Sequence, residues 1–143
     1  MSIELIIGIV VFVILGSVIA RLIFKRVPRK LKTNYFTFKW KELQQLCKDK
    51  QTWPQAIISA DKLFDEALRK KHFKGKSMGE RMVSAQRLLN NNDGVWYAHN
   101  LRKKLVDDAN QVLKEADVKR ALMGIRQALK DLGAFEDGRS KES

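Results

Sequence analysis

The run LIIGIVVFVILGSVIA, residues 5–20, contains no charged side chain. Leu22, Ile23 and Phe24 continue it past Arg21. A helix from Leu5 to Phe24, at ~1.5 Å per residue, reaches ~30 Å, the thickness of a bilayer's hydrocarbon core. The run is apolar on every side, so it is not an amphipathic helix made to lie on a surface. The sequence therefore predicts a transmembrane anchor over residues 3–24.

The charges around the run are lopsided. Glu4 is the one charged side chain before it, whereas Arg21, Lys25, Arg26, Arg29, Lys30 and Lys32 follow. A cleaved signal peptide has its positive charge before the apolar core, so Val18-Ile19-Ala20 is a weak candidate cleavage site. An uncleaved anchor is expected instead. The positive-inside rule puts the N-terminus outside and the rest of the chain in the cytoplasm, at an inner or plasma membrane. Arg21 lies within a turn of the helix end and can snorkel to the headgroups. The six basic residues form a lipid-facing surface, each gaining on the order of 1 kcal/mol near anionic lipid.

Residues 25–38 read as a basic and aromatic juxtamembrane linker. Pro28 ends or kinks the anchor. Tyr35, Phe36, Phe38 and Trp40 either lie at the membrane interface or dock on the domain that follows; the sequence leaves both open.

Residues 39–135 read as a helical bundle, and 136–143 as a disordered polar tail. A short helix is expected over 37–48, with Trp40, Leu43, Leu46 and Cys47 on one side. Thr52, Pro54 and Gln55 look like a helix start with a capping box. The stripe after them, Trp53, Ala56, Ile57, Ala60, Leu63, Phe64, Ala67 and Leu68, has the spacing of a helix buried along one face. Ser77 and Glu80 form a second capping box, opening a helix with Met82, Ala85, Leu88 and Leu89 inward. Residues 90–94 are loop-like. A further helix has Val95, Ala98, Leu101, Leu105 and Val106 inward, and a break is expected near 107–111. The last helix, about 113–132, carries Val118, Ala121, Leu122, Ile125, Ala128, Leu129 and Leu132, with Gly133 as its stop. Short connections favour an antiparallel, up-and-down order. The fold class is thus all-α.

The net charge of +12 points to an anionic neighbour: lipid headgroups, RNA or an acidic partner. The lone cysteine, Cys47, reads as a small buried hydrophobe, and no Cys/His cluster is spaced for a metal. No phosphate loop, nucleophile elbow or HExxH appears, so no cofactor is expected.

The chemistry-bearing residues form a candidate polar cluster: Asp61, Asp65, His99 and Arg102. Asp61 and Asp65 stand i, i+4 at the edge of an apolar stripe. Such a pair can do acid–base work, but more often it binds an Arg or Lys from a neighbouring helix. His99 and Arg102 stand beside the facing stripe, and Arg102 is expected to grip Asp61 or Asp65 through paired bonds. Arg69-Lys70-Lys71-His72, Lys74 and Lys76, with Arg102-Lys103-Lys104, are basic runs that can track phosphates. They lack the interleaved aromatics of single-strand binders.

Three stretches, WPQAIISADKLFDEAL (53–68), GKSMGERM (75–82) and WYAHNLR (96–102), together resemble small, membrane-anchored helical proteins of Patescibacteria type, a group with no assigned activity. The similarity covers about residues 40–133. That group in turn resembles HEPN-type four-helix domains, which include ribonucleases whose active residues are an Arg and a His about four to six residues later. The resemblance implies a HEPN-like bundle with Arg102 at the Arg position. Lys103 then stands at the usual Asn and Asp107 at the His. An aspartate cannot supply the imidazole that would polarise a ribose hydroxyl near neutral pH. The chain is therefore expected to be a membrane-tethered, non-catalytic interaction domain that binds a protein partner or a second copy. The alternative is an RNA-binding or degenerate HEPN-type ribonuclease.

Overall fold

The computed structural model describes residues 2–26, 30–108 and 110–136, and among them the secondary structure is entirely helical. Six α-helices follow in order: α1 (Ile3–Arg26), α2 (Thr33–Leu46), α3 (Trp53–Lys70), α4 (Met78–Ala85), α5 (Asn92–Asp107) and α6 (Glu115–Asp131). Arg29 and residues 137–143 of the expected tail lie outside the described residues.

Helix α1 contains a 20-residue stretch, Ile3–Leu22, long and apolar enough to cross a membrane, and none of that stretch is buried within the chain. It contributes nothing to the core described next. Its mean composition alone would also suit a signal sequence.

The core is built around α3. Its apolar stripe lines up as the spacing predicts: Ala56, Ile57, Ala60, Leu63, Phe64, Ala67 and Leu68 are all buried, while Trp53 is half-buried. Helices α2, α4, α5 and α6 all pack on α3, and α5 packs on α6 along its length. Helices α5 and α6 approach closely at two glycines. A methyl group on Gly124 would sit 2.6 Å from the carbonyl carbon and oxygen of Gly94, nearer than any side chain tolerates.

Two helix ends use a left-handed residue. After α6, Gly133 takes φ +79° and Ala134 donates back to the Leu129 carbonyl at 2.9 Å. This is the stop the sequence predicts, and Ala134 is fully buried. After α3 the same geometry is built on His72, at φ +63°, with Phe73 donating to Leu68 at 3.1 Å. A side-chain-bearing residue in that region is strained.

Several local expectations fail, each for a visible reason. Helix α2 begins at Thr33, not Thr37, so residues 33–38 belong to the bundle rather than to a linker. Leu31 and Phe36 are buried in the core, while Phe38 points outward. The Thr52–Gln55 capping box does not form. The Thr52 hydroxyl turns back to donate to the Leu46 and Asp49 carbonyls, and Gln55 bonds Ser59. The Ser77 cap does form, its Oγ accepting from the Glu80 N–H at 3.2 Å. Helix α4 stops at Ala85, so Leu88 loses the helical register and lies exposed; Val106, in the last turn of α5, is exposed too. Cys47 and Leu122 are half-buried rather than buried. Helix α5 starts at Asn92, inside the expected loop, capped by the Asn91 side chain, which accepts from the Gly94 N–H at 3.0 Å.

Candidate functional site

Asp61 sits in the middle of α3, on the side that faces α5. It is 1 % exposed. A carboxylate of this kind needs donors for its oxygens. His99 supplies one, its Nδ1 lying 3.2 Å from both Asp61 oxygens. A carboxylate accepts, so Nδ1 is the donor and the ring is fixed in orientation. Arg102, one turn further along α5, supplies another, its Nε donating to Oδ2 at 3.0 Å. The imidazole is itself buried, with the Trp96 ring edge-on at 6.0 Å between centroids. Asp61, His99 and Arg102 thus meet as the sequence suggests, though Arg102 binds through one nitrogen and not through a fork.

Asp65 does not join them. One turn along α3 from Asp61, it faces α4, where Arg81 grips it with two parallel bonds: Nε to Oδ1 at 2.7 Å and Nη2 to Oδ2 at 3.0 Å. The remaining Arg81 nitrogen donates to the Gly75 carbonyl at 3.0 Å, which closes the loop between α3 and α4. Arg69 adds a third contact to Asp65 at 3.1 Å from the solvent side. The fork that the sequence assigns to Arg102 therefore belongs to Arg81, which sequence reasoning passed over. The signal was present. Met78, Arg81, Met82 and Ala85 have the i, i+3, i+4, i+7 spacing of a buried stripe, and an arginine on such a stripe needs an acceptor to pair with.

Two tyrosines tie the outer helices to this frame. Tyr97 on α5 donates to Asp117 at 3.0 Å, and the Arg120 guanidinium lies over its ring at 4.0 Å. Burial, then the bond to Asp117, raises the Tyr97 pKa above the ordinary 10.0. Tyr35 on α2 donates to Glu66 at 2.9 Å, and that bond raises its pKa in the same direction, with burial second. The Cys47 thiol is pushed up by burial.

Every buried side-chain nitrogen and oxygen among the described residues has a hydrogen-bond partner. Among the described residues no group of three or more His, Cys, Asp or Glu side chains could hold a metal. Clefts of about 270–330 Å³ run along α2, lined by Tyr35, Lys39 and Glu66 on one side and by Trp40, Leu122 and Met123 on another; none of these includes Asp61, His99 or Arg102. Asp107, Lys103 and Lys104 are exposed on α5, and the Arg102 head is turned inward to Asp61 rather than toward them. Chemically, the cluster neutralises and orients its own members: Asp61 accepts from His99 and Arg102, and Asp65 from Arg81. No protein-family model, curated protein or solved structure matches the chain.

Proposed function

We propose that the chain is a single-pass membrane protein whose helical domain is a non-catalytic interaction module at the cytoplasmic face. The observation that carries this reading is the contrast between the Ile3–Leu22 stretch of α1, apolar and unburied, and a bundle whose described polar interior is fully paired. An exposed 20-residue apolar helix needs a covering that the rest of the chain does not give, and a bilayer core matches its length. Arg21 and Lys30 are exposed on the C-terminal side of the run, and with the neighbouring basic residues they support an N-terminus outside and a bundle inside. The bundle reading is an up-and-down, HEPN-like order of α2, α3, α5 and α6. It is supported by the way helix ends meet: the start of α2 bonds the end of α3, and Asn90, just before α5, bonds Asp131 at the end of α6.

Catalysis is disfavoured by the same bonds. Asp61 and Asp65, the two carboxylates suited to acid–base work, are spent on His99 with Arg102 and on Arg81 with Arg69. Asp107 stands in place of the imidazole a HEPN-type nuclease would use. A protein partner or a second copy fits the surface better, because the groove between α2 and α6 presents Met123, 69 % exposed, beside the half-buried Leu122 and the exposed Arg126, over a floor formed by the buried Trp40. The test is crosslinking in cells, with a photoreactive residue at Met123 and protein and RNA recovered separately. A discrete protein adduct is the expected result. Recovery of RNA alone, lost on Arg102→Ala with Lys103→Ala, overturns the reading in favour of RNA binding. A tag at the C-terminus that is digested by protease added outside intact cells overturns the orientation.

A further inference from the structure

The two ends of the bundle differ in charge. Tyr35, in the first turn of α2, bonds Glu66, and the Lys70 ammonium lies 4.5 Å over the Tyr35 ring. The start of α2 therefore rests on the last turns of α3. Thr33 donates to Glu136 at 3.4 Å, which brings the end of α6 to the same place. The entry of the chain from α1, the last turn of α3 and the α3–α4 loop thus share one end.

That end is densely basic. Lys32, Arg69, Lys70, Lys74 and Lys76 are exposed there and Lys71 is half-buried. Arg69 and Lys70 have acidic partners in Asp65 and Glu66. Among the described residues Lys32, Lys71, Lys74 and Lys76 have none. Of the exposed acids at this end, Glu80 is turned to the Lys76 backbone N–H and Glu136 accepts from the Thr33 hydroxyl. The loop is also fixed in place, because the Ser84 hydroxyl donates to the Lys74 carbonyl at 2.6 Å. The far end carries mixed charge: Lys48, Asp49 and Lys50 in one connection, Asp107, Asp108 and Lys114 in the other. Only residues 27–32 separate α1 from α2, a span of at most ~25 Å even when fully extended. The basic end is therefore the end held close to whatever α1 occupies.

We propose that the 69–76 segment and Lys32 dock on anionic lipid headgroups, so that the bundle sits against the bilayer with the α3–α4 loop down. This rests on the reading of α1 as a membrane anchor. The ligand chemistry is the lipid phosphodiester, and the basic residues reach it together because the loop is braced. Neutralising three lysines should lower the docking equilibrium constant by about a hundredfold, taking each basic residue's gain near anionic lipid at about its usual size.

The full chain, with Cys47→Ala and a spin label at His72→Cys, is placed in nanodiscs of phosphatidylcholine alone or with phosphatidylglycerol added. Accessibility to a water-soluble nickel reagent is read by electron paramagnetic resonance. The expected result is shielding at residue 72 with the anionic lipid only, and an aqueous signal in both lipids from a label at Gln111→Cys at the far end. Lys71→Gln, Lys74→Gln and Lys76→Gln together abolish the shielding, whereas the three Lys→Arg changes keep it. A chain stripped from the disc by an alkaline carbonate wash overturns the anchor and this inference with it. A chain that stays inserted but shows equal exposure of residue 72 in both lipids overturns this inference alone. Shielding produced by added RNA on neutral discs, and not by anionic lipid, assigns the surface to nucleic acid and also overturns it.

Discussion

Asp61→Ala is the substitution that reads out the buried cluster most directly. It removes the acceptor for two donors with different exits. His99 is 3 % exposed and cannot turn its Nδ1 to water, so it is left as an unpaired buried donor, at a cost of about 1–3 kcal/mol. The Arg102 side chain is 34 % exposed and can re-solvate, so only its net bond is lost, about 1 kcal/mol. The sum, about 2–4 kcal/mol, overlaps the lower half of the cost of breaking a fully buried ion pair, about 3–5 kcal/mol. For a domain of this size, that is a drop of about 10–20 °C in the unfolding midpoint. The assay is thermal unfolding of the full chain in detergent, followed by tryptophan fluorescence, since Trp40, Trp53 and Trp96 all lie in the bundle. Asp61→Asn keeps one acceptor and should lose less than half as much. Asp61→Leu combined with His99→Leu removes donor and acceptor together and should recover stability relative to Asp61→Ala. If Asp61→Ala unfolds at the temperature of the unmodified chain, the carboxylate does not bridge α3 and α5 and the assignment of the cluster to structure fails.

Further outcomes follow from single positions. Helix propensity alone favours Gly→Ala by about 1 kcal/mol, yet at Gly124 the added methyl meets the Gly94 backbone at 2.6 Å, so Gly124→Ala should destabilise by at least about 1–3 kcal/mol in urea unfolding. At Gly79 the same methyl lies an ordinary 3.6 Å from the Trp96 ring, and Gly79→Ala should stabilise; equal effects at the two sites would refute the α5–α6 close approach. His72→Gly relieves the strain at φ +63° and should raise stability by about 0.5–1 kcal/mol, measured by the same unfolding. Tyr35 and Tyr97, the chain's two tyrosines, should ionise above the usual 10.0 in a phenolate absorbance titration. Because folding raises both values, their contribution is complete below the unfolded pKa and is lost as pH climbs through the folded one. Stability should therefore fall above about pH 10, and Tyr35→Phe with Tyr97→Phe should flatten that fall.

What was legible in the sequence was whatever depends on period and charge alone. Helix α1 follows from an uncharged run, and α3 from one unbroken stripe. The Ser77 cap and the Gly133 stop follow from residue types that suit one backbone geometry. Illegible features depend on which neighbour arrives. Phe36 and Phe38 look alike in an aromatic run, yet one is buried and the other exposed, because only Phe36 faces α3. Thr52 had the right chemistry for a cap but found the Leu46 and Asp49 carbonyls first. Asp61 and Asp65 look like one pair at i, i+4, and become two sites because α5 packs beside the first and α4 beside the second. Arg81 was hidden by its charge: it occupies a core position and holds the fork.

The short helix α4 has a dynamic consequence. It has eight residues, too few to hold helical shape without its neighbours. It is secured by Met82 and Ala85 in the core, by the Trp96 ring over Gly79, and by the Arg81 grip on Asp65. Its outer face, Val83 and Ser84, is solvent-exposed. Helix α3, by contrast, is enclosed by four helices. The two should form separate cooperative units in amide hydrogen exchange. Residues 82–85 would exchange by local opening, at a rate set by the Arg81–Asp65 fork, and residues 60–68 only when the whole bundle unfolds. The fork is then a latch on the least protected helix.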